Sequence, residues 1–233
     1  IMFESRIEYL DEEEIIRLRS LIRPDQKLQV AIGLETANNI IREVIINKGY
    51  TLSEFEKAIE MLANSGVDVQ VYSIIKPARL SEKQAQEDSV KTAKYLATLA
   101  EKMREKTNRS DFEMTFKLEQ AFIQDGGFLD FLHKQGKYET PWTFTTAEIV
   151  KRPCAEGLDK KLNIQIGTSH DYPPPTTAAQ NRGSDGKYCP STEQVDKALQ
   201  EFNIDNDGAR FKKRLLEIQR QYPETFASWQ ALE

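Results

Sequence analysis

Strand-like and helix-like patterns alternate along the chain, and this alternation constrains the fold more than any single motif, because it marks βα units wound into a parallel sheet. Four strands read from the pattern. The first covers Leu28 to Leu34, and the second, Val67 to Ile75, alternates Val67, Val69 and Val71 with Asp68, Gln70 and Tyr72. The third, Phe112 to Leu118, sets Phe112, Met114, Phe116 and Leu118 against Glu113, Thr115, Lys117 and Glu119. The fourth is Leu162 to Ile166, ended by Gly167, and Met2-Phe3-Glu4 reads as the end of a further strand. Polar residues opposite an apolar row mean that one face of each strand lines something wet or functional.

The helices between them are punctuated. Residues Asp11 to Arg19 form a first helix; Thr51 with Glu54 makes a capping box ahead of the stripe Leu52, Phe55, Ile59 and Leu62, which Gly66 stops. Ser81 opens a longer helix whose Ala85, Val90, Ala93, Leu96, Leu99 and Met103 face the sheet, and Phe128 to Gln135 is a shorter one closed by Gly136. From His170 to Pro190 the texture changes to four prolines, Gly183 and Gly186, which reads as a long irregular loop. Ser191 with Gln194 then caps a helix carrying Val195, Ala198, Leu199 and Phe202, and a last amphipathic helix runs from about Asp207 to Gln221. That tail is a helical appendage and not another βα unit.

Composition removes several classes. No window approaches the roughly 18 uninterrupted apolar residues of a membrane span, and the amino end carries Glu4, Glu8 and Asp11 to Glu14 instead of a secretory signal, so no membrane role and a cytoplasmic location are expected. The only cysteines, Cys154 and Cys189, are far apart and can build neither a disulfide framework nor a thiolate metal centre, so no metal ligands are assigned. A net charge of -5 argues against a surface that grips nucleic acid throughout, although Lys151-Arg152, Lys160-Lys161 and Lys212-Lys213-Arg214 are local basic runs. Asn203, Asp205, Asp207 and Gly208 imitate the start of a calcium loop, but its twelfth position is Arg214, so an aspartate helix cap is the better reading. His133 and His170 share no motif with a nucleophile. Gly167-Thr168-Ser169 after a strand could cradle a phosphate, yet no helix pattern starts directly behind it.

The run Val30-Ala31-Ile32-Gly33-Leu34-Glu35-Thr36 ends a buried strand in glycine and a carboxylate, the place where parallel α/β barrels put ligand-binding groups. A barrel needs about six to eight strands to close, more than this chain supplies. The chain is therefore expected to be the carboxyl part of a longer protein, with Met2 as a true start being the alternative.

Glu4-Ser5-Arg6, Gly33-Leu34-Glu35-Thr36-Ala37, Ile46-Asn47-Lys48-Gly49, Lys76-Pro77, Leu80-Ser81-Glu82, Gly136-Lys137-Tyr138 and Pro141-Trp142, in this order and spacing, resemble the second half of radical S-adenosylmethionine proteins. Within that family the similarity is greatest to the branch containing the archaeosine-biosynthesis radical enzyme, and more distant to the elongator-type catalytic subunits. It covers roughly residues 4 to 205, more loosely after Gly167. The resemblance implies an α/β fold, an incomplete TIM-like parallel βα barrel, with residues 1–167 as the second half of a radical-type barrel, 168–190 as a Pro/Gly-rich loop and 191–233 as a C-terminal helical extension. It also implies S-adenosylmethionine and a 4Fe-4S cluster as cofactors, the cluster held by a CxxxCxxC loop and cleaving S-adenosylmethionine to a 5'-deoxyadenosyl radical. That loop is absent here. In the family it lies upstream, so this chain alone is expected to be inactive, and its catalytic residues are unknown.

The resemblance assigns Gly33, Glu35, Thr36, Tyr72 and Lys76 to the cofactor, and Asn47, Lys48, Lys117 and Glu119 to the substrate. An ionised Glu35 could accept hydrogen bonds from ribose hydroxyls or the methionyl ammonium, with Gly33 letting the backbone approach; alternatively Glu35 caps the following helix and Gly33 turns the strand. Asn47-Lys48-Gly49 is either a polar lip or a helix end. Lys76, before Pro77, is expected in an extended conformation, as a ligand contact or as a snorkelling lysine. Lys117 and Glu119 either line the cavity or form a structural ion pair. Three functions follow: the carboxyl part of a radical S-adenosylmethionine oxidoreductase or lyase acting on a small molecule, a nucleoside or a tRNA base; a cluster-free, non-catalytic binding module of the same fold; or a phosphate-binding βα-barrel enzyme. Exposed strand edges would favour self-association.

Overall fold

A computed structural model describes residues 1–167 and 174–232. Five parallel strands, β1 (Met2–Glu4), β2 (Gln29–Gly33), β3 (Asp68–Ile75), β4 (Met114–Gln120) and β5 (Asn163–Ile166), lie side by side in chain order. Right-handed crossovers between neighbours in chain order put the connecting helices on one face of such a sheet. The helices are α1 (Glu12–Leu21), α2 (Leu52–Asn64), α3 (Glu82–Lys106), α4 (Phe128–Lys134) and α5 (Thr143–Ala155), followed by α6 (Ser191–Asp205), α7 (Gly208–Gln221) and α8 (Pro223–Gln230). This is the expected α/β fold, an incomplete parallel βα barrel with further helices at its carboxyl end.

Period-two alternation explains the layers. Val30 and Ile32 of β2, Val69 and Val71 of β3, Met114, Phe116 and Leu118 of β4, and Ile164 and Ile166 of β5 are buried in one core with the helices. Phe55, Ile59 and Leu62 of α2 are completely enclosed there, each contributing roughly 2 kcal/mol. The register pairs Glu4 with Ala31, Ala31 with Gln70, Gln70 with Thr115 and Thr115 with Asn163, and one step on pairs Gly33 with Tyr72, Tyr72 with Lys117 and Lys117 with Gln165. The face away from the helices is thus a polar surface.

The sequence gives no local signal for α5, and the reason is where its caps come from. Trp142, at its start, makes no side-chain cap; the Trp142 amide donates to Glu82 Oε2 at 3.3 Å and the Phe144 amide to Asn181 Oδ1 at 3.1 Å. Both acceptors are remote in sequence. Helix α8 continues beyond the expected last helix, opened by Pro223 in its first turn.

Two expectations are corrected. Ser191 does not cap α6: the helix follows Pro190 without a side-chain cap, the Ser191 hydroxyl donates to Cys189 Sγ at 3.2 Å, and Thr192 Oγ1 accepts from the Asn181 amide at 2.9 Å. Lys76 is not extended. Its φ is +57°, the left-handed region that is costly for a side-chain-bearing residue, and it is pinned there by the Tyr138 hydroxyl, which donates to the Lys76 carbonyl at 3.0 Å. The aspartate cap before α7 is as expected, with Asp207 accepting from the Ala209 and Arg210 amides.

The two edges of the sheet differ. On β5, Asn203 of α6 accepts from the Ile166 amide at 2.9 Å and donates to the Ile166 carbonyl at 2.7 Å, imitating a neighbouring strand. Among the described residues no strand pairs with the outer side of β1.

Candidate functional site

Glu35 stands at the carboxyl end of β2 with φ +69°, a strained conformation of the kind that persists where surrounding contacts enforce it. Those contacts are present. Its amide donates to the Tyr72 carbonyl at 3.0 Å and its carbonyl accepts from the Ser73 hydroxyl. Its carboxylate accepts from Lys48 Nζ at 2.7 Å, both side chains being about one-fifth exposed. The pair lies over Gly33: a Cβ there would sit 2.4 Å from Glu35 Oε1 and 2.6 Å from Lys48 Nζ. The missing side chain is what makes room for it.

Lys48 is delivered by an ordered loop. Arg42, fully buried in a π-helical turn at Ile41–Ile45, donates to the Tyr50 carbonyl, the Thr36 carbonyl and Asn39 Oδ1. Thr36 donates to Asp88 of α3 at 2.8 Å, and burial raises the Asp88 carboxyl above the ordinary carboxylate range. The Tyr50 hydroxyl donates to the Gly33 carbonyl, and burial, then the Glu35 charge, holds it well above the usual phenol range. Thr36 is therefore committed to the scaffold, and Asn47, with φ +57°, is an exposed turn residue.

On the polar face Tyr72 crosses β2 above Ala31 and Gly33 and donates to Glu4 Oε1 at 2.6 Å. Burial, reinforced by that carboxylate, pushes the Tyr72 phenol up to about 12. Lys117 Nζ lies 5.9 Å from the Tyr72 ring centroid and 3.9 Å from Glu119 Oε1. The Glu119 carboxylate occupies the space over Gly167, where a Cβ would meet it at 1.7 Å. A carboxylate repels phosphate, which counts against a phosphate cradle at Gly167; Thr168, Ser169 and His170 lie outside the described residues.

The structure thus brings Gly33, Glu35, Lys48, Tyr72, Lys117 and Glu119 to one end and one face of the sheet and adds Glu4, while Tyr50, buried in the core, reaches the same strand end through the Gly33 carbonyl. Glu4 could have been found from the strand pattern that ends in it; Tyr50 carries no local signal. Lys76 lies apart. Its ammonium is ion-paired with Glu82, with side-chain exposures of 9% and 4%, and sits 5.8 Å from the Tyr138 ring centroid. Glu82 also accepts from Thr145 Oγ1, which in turn accepts from Trp229 Nε1 at 2.8 Å. This buried network ties β3 to α3, α5 and α8.

Over 207 residues the sequence is 30% identical to archaeosine synthase subunit beta of Thermococcus kodakarensis, the match taking in 89% of this chain and 57% of that protein. The chain is similar to archaeosine synthase subunit beta. The subunit of the same name from Methanosarcina acetivorans is 29% identical over 209 residues, covering 90% of this chain and 54% of the relative. The chain therefore spans a little over half the length of these archaeosine synthase subunits. Among solved structures, Elp3 of Methanocaldococcus infernus superposes with a TM-score of 0.58 over 88% of this chain and 41% of its own, at 16% identity, a likeness of fold. No family model matches the chain. The resemblance to the archaeosine branch of radical S-adenosylmethionine proteins is borne out.

The residues present fit one implied cofactor and not the other. The Glu35 carboxylate beside a side-chain-free strand end suits the hydroxyls and ammonium of S-adenosylmethionine. Among the described residues no three His, Cys, Asp or Glu side chains gather as a metal site. No helix among the described residues is long and apolar enough to cross a membrane.

Proposed function

We propose that this chain is the cofactor- and substrate-binding part of a radical S-adenosylmethionine enzyme that modifies a nucleoside or a tRNA base, with the 4Fe-4S cluster held by residues outside it. In this reading residues 1–167 are the second half of the barrel, and residues 191–233 are a helical extension. The observation that carries it is the Glu35 carboxylate, held by Lys48 over Gly33 at the end of β2. The relationship to archaeosine synthase subunit beta supports the nucleoside branch.

S-adenosylmethionine, when bound, would supply the radical chemistry, and Glu35 beside Gly33 would hold it. The chain's own residues bind and orient. Glu35 accepts hydrogen bonds from the ligand, and Lys48 holds that carboxylate in place over Gly33. Tyr72 stays protonated at neutral pH and, through its bond to Glu4, fixes the polar face below. Lys117 presents a positive charge to acceptor groups of the substrate. The loop tied by Arg42 and Asp88 holds Lys48 in place, so little ordering cost remains when ligand arrives.

The test is anaerobic purification of the full-length protein, with iron and sulfide determination and S-adenosylmethionine binding. About four irons and four sulfides per chain are expected, together with binding that Glu35→Gln weakens by roughly 10-fold or more, the equivalent of one charged hydrogen bond. A full-length protein without iron that binds no S-adenosylmethionine would overturn the reading.

A further inference from the structure

A cavity of about 770 Å³ opens beside the buried Lys76–Glu82 pair, and neither Glu35 nor Lys48 lines it. It lies next to the carboxyl end of β3, the same end of the sheet as Glu35. Lys76 and Glu82 cancel at its floor. Among the described residues, Arg79, Lys137 and Arg182 stand on its walls against the carboxylate of Glu139, an excess of two positive charges there in a chain whose net charge is -5.

The three cations are not equivalent. Arg182 is held, ion-paired with Glu139 at 3.3 Å and stacked 5.7 Å from the Trp142 ring centroid. Lys137 is exposed, and its ammonium donates to the Gln135 side chain. Arg79 is exposed and has no hydrogen-bonding or ionic partner among the described residues, yet its backbone is held at φ +71°, a conformation that costs an arginine about 1 kcal/mol or more. The start of the 25-residue helix α3, at Ser81 and Glu82, faces the same cavity, and its partial positive charge adds to theirs.

We propose that this cavity binds phosphate groups, with Arg79 and Lys137 as the principal contacts and Arg182 as a fixed charge on the wall. The proposal deepens the nucleic-acid branch of the function above and rests on it only for the choice between an RNA backbone and a free phosphate. An RNA bound here would run toward the Glu35 end of the sheet, since both lie at the carboxyl ends of adjacent strands.

The experiment measures binding of the full-length protein to a labelled single-stranded RNA 12-mer, to inorganic pyrophosphate and to a polyglutamate peptide, at two salt concentrations. Arg79→Ala and Lys137→Ala are each expected to weaken RNA binding about 5- to 10-fold and to reduce the salt slope by about one unit. Calorimetric affinity for S-adenosylmethionine should not change. Pyrophosphate binding as tight as RNA binding would assign the site to a small phosphate ligand, within the proposal. Phosphate affinities untouched by either variant, or equal displacement by polyglutamate, would overturn it. Loss of S-adenosylmethionine binding in Glu35→Gln is read separately, so the two readings fail independently.

Discussion

Lys48 Nζ and Glu35 Oε1 are 2.7 Å apart at the end of β2, in the space a side chain at Gly33 would fill. The pair joins the strand end to the loop after it, and it depends on one absent methyl group.

Gly33→Ala should therefore separate ligand binding from folding. The Gly33 backbone is acceptable to alanine, and the clash is with flexible side-chain ends, so stability should change by less than about 1 kcal/mol. Displacing the carboxylate should nonetheless weaken S-adenosylmethionine binding to the full-length protein by about 10-fold. Calorimetry and a thermal melt on the same sample check this; unchanged affinity would remove Glu35 from the site.

The buried Lys76–Glu82 pair predicts a structural effect. Lys76→Met leaves the Glu82 carboxylate without its cation and should cost about 3–5 kcal/mol in urea unfolding. Adding Glu82→Gln should recover part of the loss, since a neutral amide still accepts from the Trp142 amide. Cofactor affinity should survive in Lys76→Met at temperatures where it is folded; its loss there would return Lys76 to the ligand.

Asp196 predicts a pH dependence. Burial, then the Glu193 charge, pushes its carboxyl up to about 6 from an ordinary value near 3.8. A folded-state value above the unfolded one means stability that is full at low pH and is lost as pH rises through about 6. Asp196→Asn should accordingly be more stable than the parent above that pH, by about 2 kcal/mol, with the gap closing as pH falls toward about 4. Denaturation midpoints across that range decide it, and a gap that is independent of pH would refute the assignment.

Asn203→Leu removes both bonds to Ile166 and leaves a strand-edge amide and carbonyl unpaired. A loss of about 2 kcal/mol is expected, together with self-association visible by light scattering, because an open parallel edge recruits another strand. A monodisperse variant of parental stability would show that the edge is shielded by other means.

How much of this was legible in the sequence follows from how local each cause is. The strands were readable because β-branched and aromatic residues at period two carry their own signal, and the caps at Thr51 and Ser81 were readable because donor and acceptor sit three residues apart. Helix α5 was not, since Glu82 and Asn181 cap it from elsewhere. Lys76 was misread for a related reason: the rule for a residue before proline describes local sterics, while Tyr138 and Glu82 hold this one from a distance. The glycine and carboxylate of β2 were visible in order, but the sequence could not show that the partner of Glu35 is Lys48.

The order of the strands has a consequence for how the chain acquires its shape. Because β1 to β5 lie in space as they lie in sequence, every strand after the first meets an edge already laid down by the strand before it. The arc can be assembled in the direction of synthesis, one crossover at a time, without a late strand having to insert between two earlier ones. Asn203 arrives after the last of them and occupies the edge where a sixth would otherwise pair, so the same side chain that satisfies Ile166 also ends the growth of the sheet in that direction.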